Sequence, residues 1–456
     1  MARVAGVDSS TQSVKIVVRD SESGALLAQA SHPHPDGTEV DAQHWLDALQ
    51  AVIAKVGGLE SLDAISIGGQ QHGMVLLDSS GEVIRPALLW NDTRSAPQAA
   101  AINAAFPDIH QRTGSQLVAS FTASKVRWVL ENEPENAARI AAIALPHDWL
   151  SWKLSGSSDI HEIFTDRSDA SGTGYFDPVN NRYIPEILQW ITGKTDVVLP
   201  RIIAPGEVGA RIGKTVIACG AGDNAGAALG IGALVGDLVI SLGTSGTAFA
   251  VSSVPSHDQS GEVAGFADAT GNFLPLACTL NAAKVFDATA KFLGVSFDEY
   301  SQLALQAAPG ADGLMMAPHF DGERTPNRPD AHGAITGITH LNFTPSNIAR
   351  ASIEGVIAGL AYATDALRRE GVEISRLLLV GGAARNKAVQ EITSEIFGLP
   401  VHIPTPGEYV SEGAAIQAAW ALHQSQPQWS SAAMSQLKAE PQPAVLARYL
   451  TELSAI

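Results

Sequence analysis

Residues 220–226 read GAGDNAG, and residues 238–247, which follow a short run rich in alanine and glycine, read LVISLGTSGT. The first stretch places one carboxylate, that of Asp223, among residues small enough for backbone and ligand to approach closely. The second is a predicted strand that ends in a turn of glycine, threonine and serine, whose amides and hydroxyls suit an anion. An acid that takes a proton and a turn that holds phosphates are what phosphoryl transfer to a hydroxyl requires. A glycine-rich crossover with Asp223 as a helix cap gives the same pattern.

The elements predicted on either side of this stretch follow a similar order in the two halves of the chain. The first half has strands at residues 4–7, 14–18, 25–30 and 64–67, with a helix capped by Asp41 before the fourth. The second half has strands at residues 238–242, 248–251, 273–277 and 376–380, with helices from Asn281, from Thr344-Pro345 and over 384–397.

This repeated order predicts an α/β fold of two similar domains with a cleft between them. The predicted domains are residues 1–235, which would bind a sugar and carry the catalytic aspartate, and residues 236–456, which would bind nucleotide. The tail after about Ser425, rich in Gln, Ser, Pro and Ala, is predicted to be peripheral.

The composition excludes some classes of partner. The net charge is −18, from 29 basic and 47 acidic side chains, so no basic surplus exists to neutralise nucleic acid or an acidic membrane. Cys219 and Cys278 lack metal-ligand spacing, which suits a reducing compartment. No signal peptide is predicted, and the small apolar run at 225–236 is too short to span a bilayer. A cytoplasmic protein is therefore expected.

Two glycine motifs resemble nucleotide loops but have the wrong spacing. Residues 209–215, GARIGKT, are one residue short of a P-loop, and the predicted strand follows the Gly-Lys pair instead of preceding it. Residues 220–226 miss the dinucleotide pattern by one residue, and no acid follows about twenty residues later. A dehydrogenase is therefore disfavoured.

Two strand–turn–strand units, with turns at residues 8–13 and 243–247, are better candidates for a phosphate site. Each is also compatible with a plain hairpin. At equivalent places in two duplicated domains they would face each other and hold the phosphates of ATP, with Asp8 placed to bind Mg²⁺ directly or through water. Lys15 is expected to be exposed. The candidate phosphate residues are Ser10 and Thr11 in the first turn and Gly243, Thr244, Ser245 and Gly246 in the second.

Three further groups of residues are candidate ligand contacts. Gln70, Gln71 and His72 follow a predicted strand, a preferred ligand position in α/β folds, although a loop histidine with purely local bonds gives the same pattern. Residues 90–94, Trp-Asn-Asp-Thr-Arg, are compatible with a sugar-pocket wall formed by Trp90 or with an Asp–Arg pair that holds a loop. Residues 381–386 form a strand–Gly–Gly–helix junction, where Gly381, Gly382 and Asn386 would accommodate a nucleoside.

Several longer motifs together resemble the FGGY family of carbohydrate kinases, over about residues 3 to 425. That family shares a two-domain, ribonuclease-H-like fold with actin, hexokinase and Hsp70. The motifs are SFTASKVRWVLEN at 120–132, GERTP at 322–326, GAITGI at 333–338 and NIARASIE at 347–354.

The resemblance implies a role for each candidate residue. Residues 70–73, Gln-Gln-His-Gly, are similar to the ketopentose motif Gly-Gln-Met-His-Gly, which implies that Gln71 and His72 bind a ketose. By the same resemblance Asp223 is the proton acceptor, Asn224 holds a sugar hydroxyl and Asp8 is needed for activity. Thr244, Gly246, Gly381 and Gly382 are implied to lie on the ATP side. The chain departs from the family at Gln71 in place of Met, and at Ser10 and Ala383 in place of Gly.

The expected reaction is the Mg²⁺- and ATP-dependent phosphorylation of a ketopentose, D-xylulose, to its 5-phosphate. The alternatives are a kinase of the same family for another ketose or a sugar acid, and an actin-like ATP-binding regulator. A polyol is less expected, because the pattern Asn-Gln-Arg-Glu-Thr is absent from residues 69–73. The partners expected are a small sugar and ATP, without nucleic acid or membrane, and a homodimer is left open.

Overall fold

The computed structural model describes residues 2–429 and 433–454, and it divides into two compact α/β units. Unit 1 comprises Met1–Ala233, Gly265–Leu274 and Gly407–Ser431. Unit 2 comprises Leu234–Ala264, Pro275–Pro406 and Ala432–Ile456. Each unit has its own large hydrophobic core. The α/β class with two domains is confirmed, and two late segments of the chain return to unit 1.

Unit 1 is built on a mixed sheet. The central strand, Arg3–Ser9, pairs antiparallel with Ser13–Asp20 and parallel with Ala64–Gly69. Val4, Val7 and Ile65 on these strands are fully buried, as expected for β-branched residues at the centre of a covered sheet. The strands lie in the order Val208–Ile212, Thr215–Ala218, Ala64–Gly69, Arg3–Ser9, Ser13–Asp20, Leu26–Pro33.

Unit 2 repeats the pairing pattern of unit 1. Its strand Asp237–Leu242 pairs antiparallel with Gly246–Ala250 and parallel with Arg376–Val380. The predicted repetition of elements is therefore confirmed as a repetition of strand pairing. The strands lie in the order Phe273–Thr279, Gly246–Ala250, Asp237–Leu242, Arg376–Val380, Val401–Pro404, Met434–Leu437.

The remaining strands described are short. Residues 209–215, the P-loop-like motif, form the antiparallel hairpin between Val208–Ile212 and Thr215–Ala218, as predicted for a turn that enters a strand. The short strands are Glu39–Val40, Val75–Leu77, Ala87–Leu88, Ala142–Ala144, Phe164–Thr165, Phe176–Asp177, Arg182–Tyr183, Arg201–Ile202, Ala221–Gly222, Ala264–Ala267, Met315–Ala317 and Ala334–Thr336.

The first helix of unit 1 begins where the sequence provides a cap. Asp41 accepts a hydrogen bond from the Gln43 amide at the start of Ala42–Lys55, as predicted. The other α-helices are Ala96–Ala105, Ile109–Thr113, Thr122–Asn132, Pro134–Arg139, Pro146–Ser155, Arg167–Ala170, Pro185–Thr192, Asp223–Ile231 and Tyr409–His423.

The helix Tyr409–His423 belongs to unit 1 and packs on its central strand and on the helix Asp223–Ile231. Glycines make this packing close. A Cβ atom at Gly413 would lie 2.0 Å from the carbonyl oxygen of Gly226, and one at Gly6 would lie 1.9 Å from that of Ser411. Glycine at these positions lets the backbones approach.

Five α-helices are described in unit 2. The longest, Pro345–Arg369, is capped by Thr344, whose side chain accepts from the Asn347 amide, as predicted. The others are Ala283–Leu293, Phe297–Gln306, Lys387–Phe397 and Pro443–Leu453.

The prediction that the tail after about Ser425 is peripheral is wrong. Met434–Leu437 pairs with Val401–Pro404 at the edge of the unit 2 sheet. In the helix Pro443–Leu453, Tyr449 and Leu453 are buried in the core of unit 2. The helical spacing of Leu446, Tyr449, Leu450 and Leu453 drives this burial, although the surrounding composition is polar.

Within residues 2–429 and 433–454, no helix combines the length and the apolar character needed to cross a membrane.

Candidate active site

Three strand ends meet at one edge of the unit 1 sheet. Ser9 is in register with Gly69, and Gly69 is in register with Gly222. The strands are parallel, so the residues that follow them, Ser10, Gln70 and Asp223, emerge side by side. This register brings together three of the predicted site segments, of which Ser10 and Asp223 are 213 residues apart in the chain.

Asp223 is the first residue of the helix Asp223–Ile231 and is half-buried. Its Oδ1 atom accepts hydrogen bonds from the backbone amide and the side-chain amide of Asn224, at 2.7 and 2.8 Å. Burial raises the pKa of Asp223 to about 6, against the hydrogen bonds from Asn224, which lower it. The carboxyl group is therefore largely ionised at neutral pH yet able to take up a proton, the property of a general base.

Asp8 lies on the central strand and is buried. Burial, followed by the negative charge of Asp223, raises the pKa of Asp8 to about 7, against the positive charge of Lys15. The Oδ1 atom of Asp8 has no hydrogen-bond partner among the residues described. A buried, unpaired carboxylate oxygen next to a second carboxylate fits a divalent cation such as Mg²⁺.

Lys15 is partly exposed, as expected, and forms an ion pair with Glu408 at 2.6 Å. Glu408 belongs to the late segment of the chain that returns to unit 1.

A chain of polar side chains connects the first turn to the Trp90 loop. Trp90 Nε1 donates to the hydroxyl of Thr11 at 2.9 Å, and that hydroxyl lies 3.5 Å from Gln70 Oε1. Trp90 itself is 45% exposed, so its ring is an accessible surface at the site. The Ser10 hydroxyl donates to the Ser13 carbonyl at 2.8 Å and holds the turn itself.

Gln71 is buried beside the start of the Asp223 helix. Its Nε2 atom donates to the Ser168 carbonyl at 3.1 Å, and a Cβ atom at Gly222 would lie 2.6 Å from that Nε2 atom. The glycine before Asp223 therefore makes room for the Gln71 carboxamide.

His72 has a left-handed backbone, with φ of 68°, a conformation that needs support from its surroundings. Its Nδ1 atom donates to the Gly172 carbonyl at 2.6 Å. Its ring lies 4.8 Å from that of Phe121 and 5.6 Å from that of Phe266, measured between centroids. His72 is thus held in one orientation next to Gln71.

Within the loop 90–94, Asp92 and Arg94 form the pair that would hold a loop. Asp92 accepts from the Arg94 amide and from Arg94 Nε, at 3.0 and 2.9 Å. Arg94 also pairs with Glu39 at 2.8 Å. The contacts of these two residues therefore favour the structural interpretation, while Trp90 faces solvent.

A buried charged cluster behind the site was missed by the sequence analysis. The ring of His147 lies 3.2 Å from Asp148, 3.3 Å from Asp169 and 3.4 Å from Asp166. Burial alone would lower the pKa of His147, but the charges of Asp148, Asp169 and Asp166 raise it to about 10. Burial also raises the pKa of Asp148 to about 6, and that of Asp169 well above its usual range.

The cluster touches the strands that carry the site. A Cβ atom at Gly69 would lie 2.9 Å from the Cβ of His147, and one at Gly220 would lie 3.1 Å from the imidazole. The adjacent His147-Asp148 pair and the sequence Asp-Arg-Ser-Asp at 166–169 are the signals that point to it.

The candidate nucleotide residues of unit 2 also follow neighbouring strands. The turn Gly243-Thr244-Ser245 is exposed and joins Asp237–Leu242 to Gly246–Ala250. A Cβ atom at Gly381 would lie 2.5 Å from the Leu242 carbonyl oxygen, so the Gly381-Gly382 junction abuts the start of that turn. Gly382 has open space around its Cα.

Asn386 caps the helix Lys387–Phe397. Its Oδ1 atom accepts from the Val389 amide at 3.2 Å and from the Ser301 hydroxyl at 2.9 Å. Asn386 is buried, and its side-chain oxygen is used within unit 2.

Comparison with known families accounts for both units. The N-terminal domain of the FGGY family of carbohydrate kinases matches residues 3–233, and the C-terminal domain of that family matches residues 238–422. The chain belongs to the FGGY family of carbohydrate kinases. ATP is the phosphoryl donor that a kinase of this family implies.

Individual FGGY relatives align over nearly the whole chain. It is 42% identical to the xylulose kinase of Streptomyces coelicolor, over 92% of this chain and 88% of that protein. It is 41% identical to the xylulose kinase of Streptomyces rubiginosus, over 96% and 92% of the two chains. The crystal structure of xylulose kinase from Bifidobacterium adolescentis is 43% identical and covers 99% of both chains, with a TM-score of 0.94.

One FGGY motif, at residues 120–132, contacts the loop of the described site. The motif at 120–132 forms the helix Thr122–Asn132, and its buried Lys125 donates to the carbonyls of His72, at 3.2 Å, and Ser120. The motif therefore supports the loop that carries His72.

Proposed function

We propose that this FGGY kinase transfers the terminal phosphoryl group of ATP to D-xylulose and forms D-xylulose 5-phosphate. The observation that carries the proposal is the position of Asp223, a half-buried carboxylate at a helix N-terminus beside Gln71 and Asp8. The xylulose kinases at 41–43% identity support the choice of sugar.

In the proposed mechanism Asp223 accepts the proton of the sugar's terminal hydroxyl as the phosphoryl group leaves ATP. A pKa of about 6 leaves Asp223 ionised at neutral pH and places it near the operating pH, where a general base is most effective. Asn224 fixes one carboxylate oxygen through two hydrogen bonds. We assign to Asn224 a second role, contact with a sugar hydroxyl.

The sugar is proposed to bind against the loop that carries Gln71 and His72. The imidazole of His72 is oriented by Gly172 and by two aromatic rings, which limits its freedom before substrate arrives. Gln70 and the exposed ring of Trp90 are proposed to complete the polar and the flat surfaces of the sugar site.

Asp8 is proposed to hold Mg²⁺, directly or through water, because its buried Oδ1 atom lacks a hydrogen-bond partner among the residues described. When bound, Mg²⁺ offsets negative charge on the phosphates. Ser10 and Thr11, at the turn after Asp8, are proposed to contact phosphate.

Nucleotide is proposed to bind unit 2 at the exposed turn and the adjoining glycine junction. Backbone amides and hydroxyls of Thr244 and Ser245, between Gly243 and Gly246, suit phosphate oxygens. Gly382 leaves space for a flat nucleoside, Gly381 lets the junction approach the Leu242 carbonyl, and Asn386 shapes the helix that follows. The proposal includes a cytoplasmic location, where ATP is available.

The test measures ADP release with Mg-ATP across a panel of ketoses, polyols and sugar acids. We expect D-xylulose to give the highest kcat/KM. Asp223→Asn should lower kcat by about 10²- to 10⁴-fold, the usual contribution of a general base, with ATP binding retained. Asp41→Asn is the matched control, because it alters a helix-capping aspartate of the same unit outside the site and Asn caps equally well. A sugar acid preferred over every ketose would reassign the substrate, and full turnover by Asp223→Asn would exclude Asp223 as the base.

A further inference from the structure

Ser168 lies behind the candidate site and contacts two of its elements. It is fully buried on the short helix Arg167–Ala170. Its Oγ atom accepts a hydrogen bond from the Gly222 amide at 3.1 Å, and Gly222 immediately precedes Asp223. Its backbone carbonyl accepts from Gln71 Nε2, also at 3.1 Å. Ser168 therefore connects the start of the helix Asp223–Ile231 with Gln71, which lies in the loop proposed to bind the sugar.

The same segment also orients His72. The Gly172 carbonyl accepts from His72 Nδ1, and a Cβ atom at Gly172 would lie 2.8 Å from that nitrogen. Residues 168–172 thus provide hydrogen-bond acceptors for three residues of the proposed site, on two of its elements.

The segment 168–172 is held in place by the buried charged cluster around His147. Asp166 accepts from the amides of Ser168 and Asp169, at 2.7 and 3.0 Å, and its Oδ1 atom faces His147. His147 in turn packs against Gly69 and Gly220, on the strand and the turn that precede Gln70 and Asp223. The charged cluster therefore contacts the same segments that carry the candidate site.

We infer that Ser168 is a positioning residue for phosphoryl transfer, whose hydroxyl holds the N-terminus of the Asp223 helix and whose carbonyl holds Gln71. The inference rests on the proposed role of Asp223 as the base. Ser168 acts through Asp223 and Gln71 and does not itself contact substrate.

The Gly222 amide is a buried donor with Ser168 Oγ as its described acceptor. Removal of that oxygen leaves the donor unsatisfied, and a shift of the helix start relieves the penalty. Such a shift moves the Asp223 carboxylate relative to the reacting hydroxyl, and small misplacements of catalytic groups reduce rates strongly. We expect ATP binding to be independent of this bond, because the nucleotide is proposed to bind unit 2.

The test compares Ser168→Ala with wild type in steady-state kinetics for D-xylulose and ATP, together with thermal denaturation. We expect kcat to fall by about 10- to 100-fold, with the KM for ATP within twofold of wild type. Ser168→Thr keeps the hydroxyl and should restore kcat to within about fivefold of wild type. Ser394→Ala, which deletes a buried serine hydroxyl in unit 2, is the control and should leave kcat unchanged.

Each outcome decides the inference. A wild-type protein without sugar-dependent ADP release contradicts the proposed function and, with it, this role of Ser168. An active wild type with unchanged kcat in Ser168→Ala contradicts the inference alone. Equal losses of kcat in Ser168→Ala and Ser168→Thr also contradict it, because the hydroxyl would then be irrelevant. If Ser168→Ala does not fold, Ser168→Cys replaces it; its thiol is a weak acceptor, so an intermediate kcat supports the inference and a wild-type kcat overturns it.

Discussion

Lys125 contacts the backbone of His72 from inside the protein: its Nζ atom donates to the His72 carbonyl over 3.2 Å. Lys125 is fully buried, and burial lowers its pKa to about 7. Thr122 donates to the same carbonyl at 3.1 Å. A residue with φ of 68° is thus held by two donors from the helix that the FGGY motif forms.

Lys125→Met should weaken sugar binding selectively. The variant removes a donor from the His72 carbonyl, so the left-handed conformation of His72 loses support. We expect the KM for D-xylulose to rise on the order of 10-fold, equivalent to about 1.4 kcal/mol, with the KM for ATP unchanged. Lys153→Met, which removes a lysine that packs on Trp152 in the same unit, is the control. An unchanged KM for the sugar would show that His72 keeps its position without Lys125.

The pH dependence of kcat/KM should report the ionisation of Asp223. The base is active when ionised, and burial raises its pKa to about 6. Activity should therefore rise as the pH increases through about 6 and decline below it. A profile measured for D-xylulose from pH 5 to 8 at constant ionic strength tests this. A flat profile over that range would contradict Asp223 as the titrating base.

Asp8→Asn should impair activity through the metal. Replacement of the carboxylate removes the buried oxygen proposed for Mg²⁺, so we expect kcat to fall by about 100-fold or more and the Mg²⁺ concentration for half-maximal activity to rise. Asp20→Asn, on the neighbouring strand of the same sheet, is the matched control. A normal Mg²⁺ dependence in Asp8→Asn would exclude Asp8 as the metal residue.

His147 should be needed as a cation. His147→Gln leaves Asp148, Asp166 and Asp169 without their positive neighbour, so we expect it to lower the free energy of unfolding by about 3 to 5 kcal/mol at pH 7. His147→Lys keeps the charge and should lose markedly less. Urea denaturation of the two variants makes the comparison, and equal losses would show that the charge is unimportant.

The His147 cluster should also make stability depend on alkaline pH. The folded pKa of His147, about 10, lies above its ordinary value of 6.5. Its stabilising contribution is therefore fully present below about pH 6.5 and is lost as the pH rises toward 10. Wild type should lose more stability than His147→Lys between pH 7 and 10, and parallel losses would contradict this assignment.

Tyr449 should contribute to stability through its ring and not through its hydroxyl. Tyr449 is buried in the unit 2 core, and its hydroxyl has no hydrogen-bond partner among the residues described. Tyr449→Ala should lower the free energy of unfolding by about 3 to 5 kcal/mol, while Tyr449→Phe should leave it unchanged or increase it. Chemical denaturation of both variants is the measurement. A small effect of Tyr449→Ala would mean that the packing of the helix Pro443–Leu453 is dispensable for the stability of unit 2.

The parts of the fold that depend on local pattern were predictable. Strand and helix periodicity, the Asp41 and Thr344 caps and the glycine turns are encoded within a few residues. The small residues around Asp223 indicated that backbone and ligand could approach its carboxylate closely. The register of Ser9, Gly69 and Gly222, which brings Asp8, Gln70 and Asp223 together, depends on pairing between distant strands and was not predicted.

The remainder depended on contacts between distant segments or on short patterns that the average composition masks. The burial of His147 against Gly69 and Gly220 joins three distant segments that local periodicity does not connect. The tail was misjudged because average composition hid the helical spacing of Tyr449 and Leu453. The return of residues 407–431 to unit 1 depends on glycine-to-glycine packing that only the assembled backbones show.

That late return has a consequence for biosynthesis. The helix Tyr409–His423 fills the space above the central strand of unit 1, where Gly6 and Gly413 admit no side chain. A nascent chain on the ribosome therefore cannot complete the lobe that carries Asp8 and Asp223 until residues 275–406 of unit 2 and then the helix Tyr409–His423 have been translated, so this lobe finishes folding late.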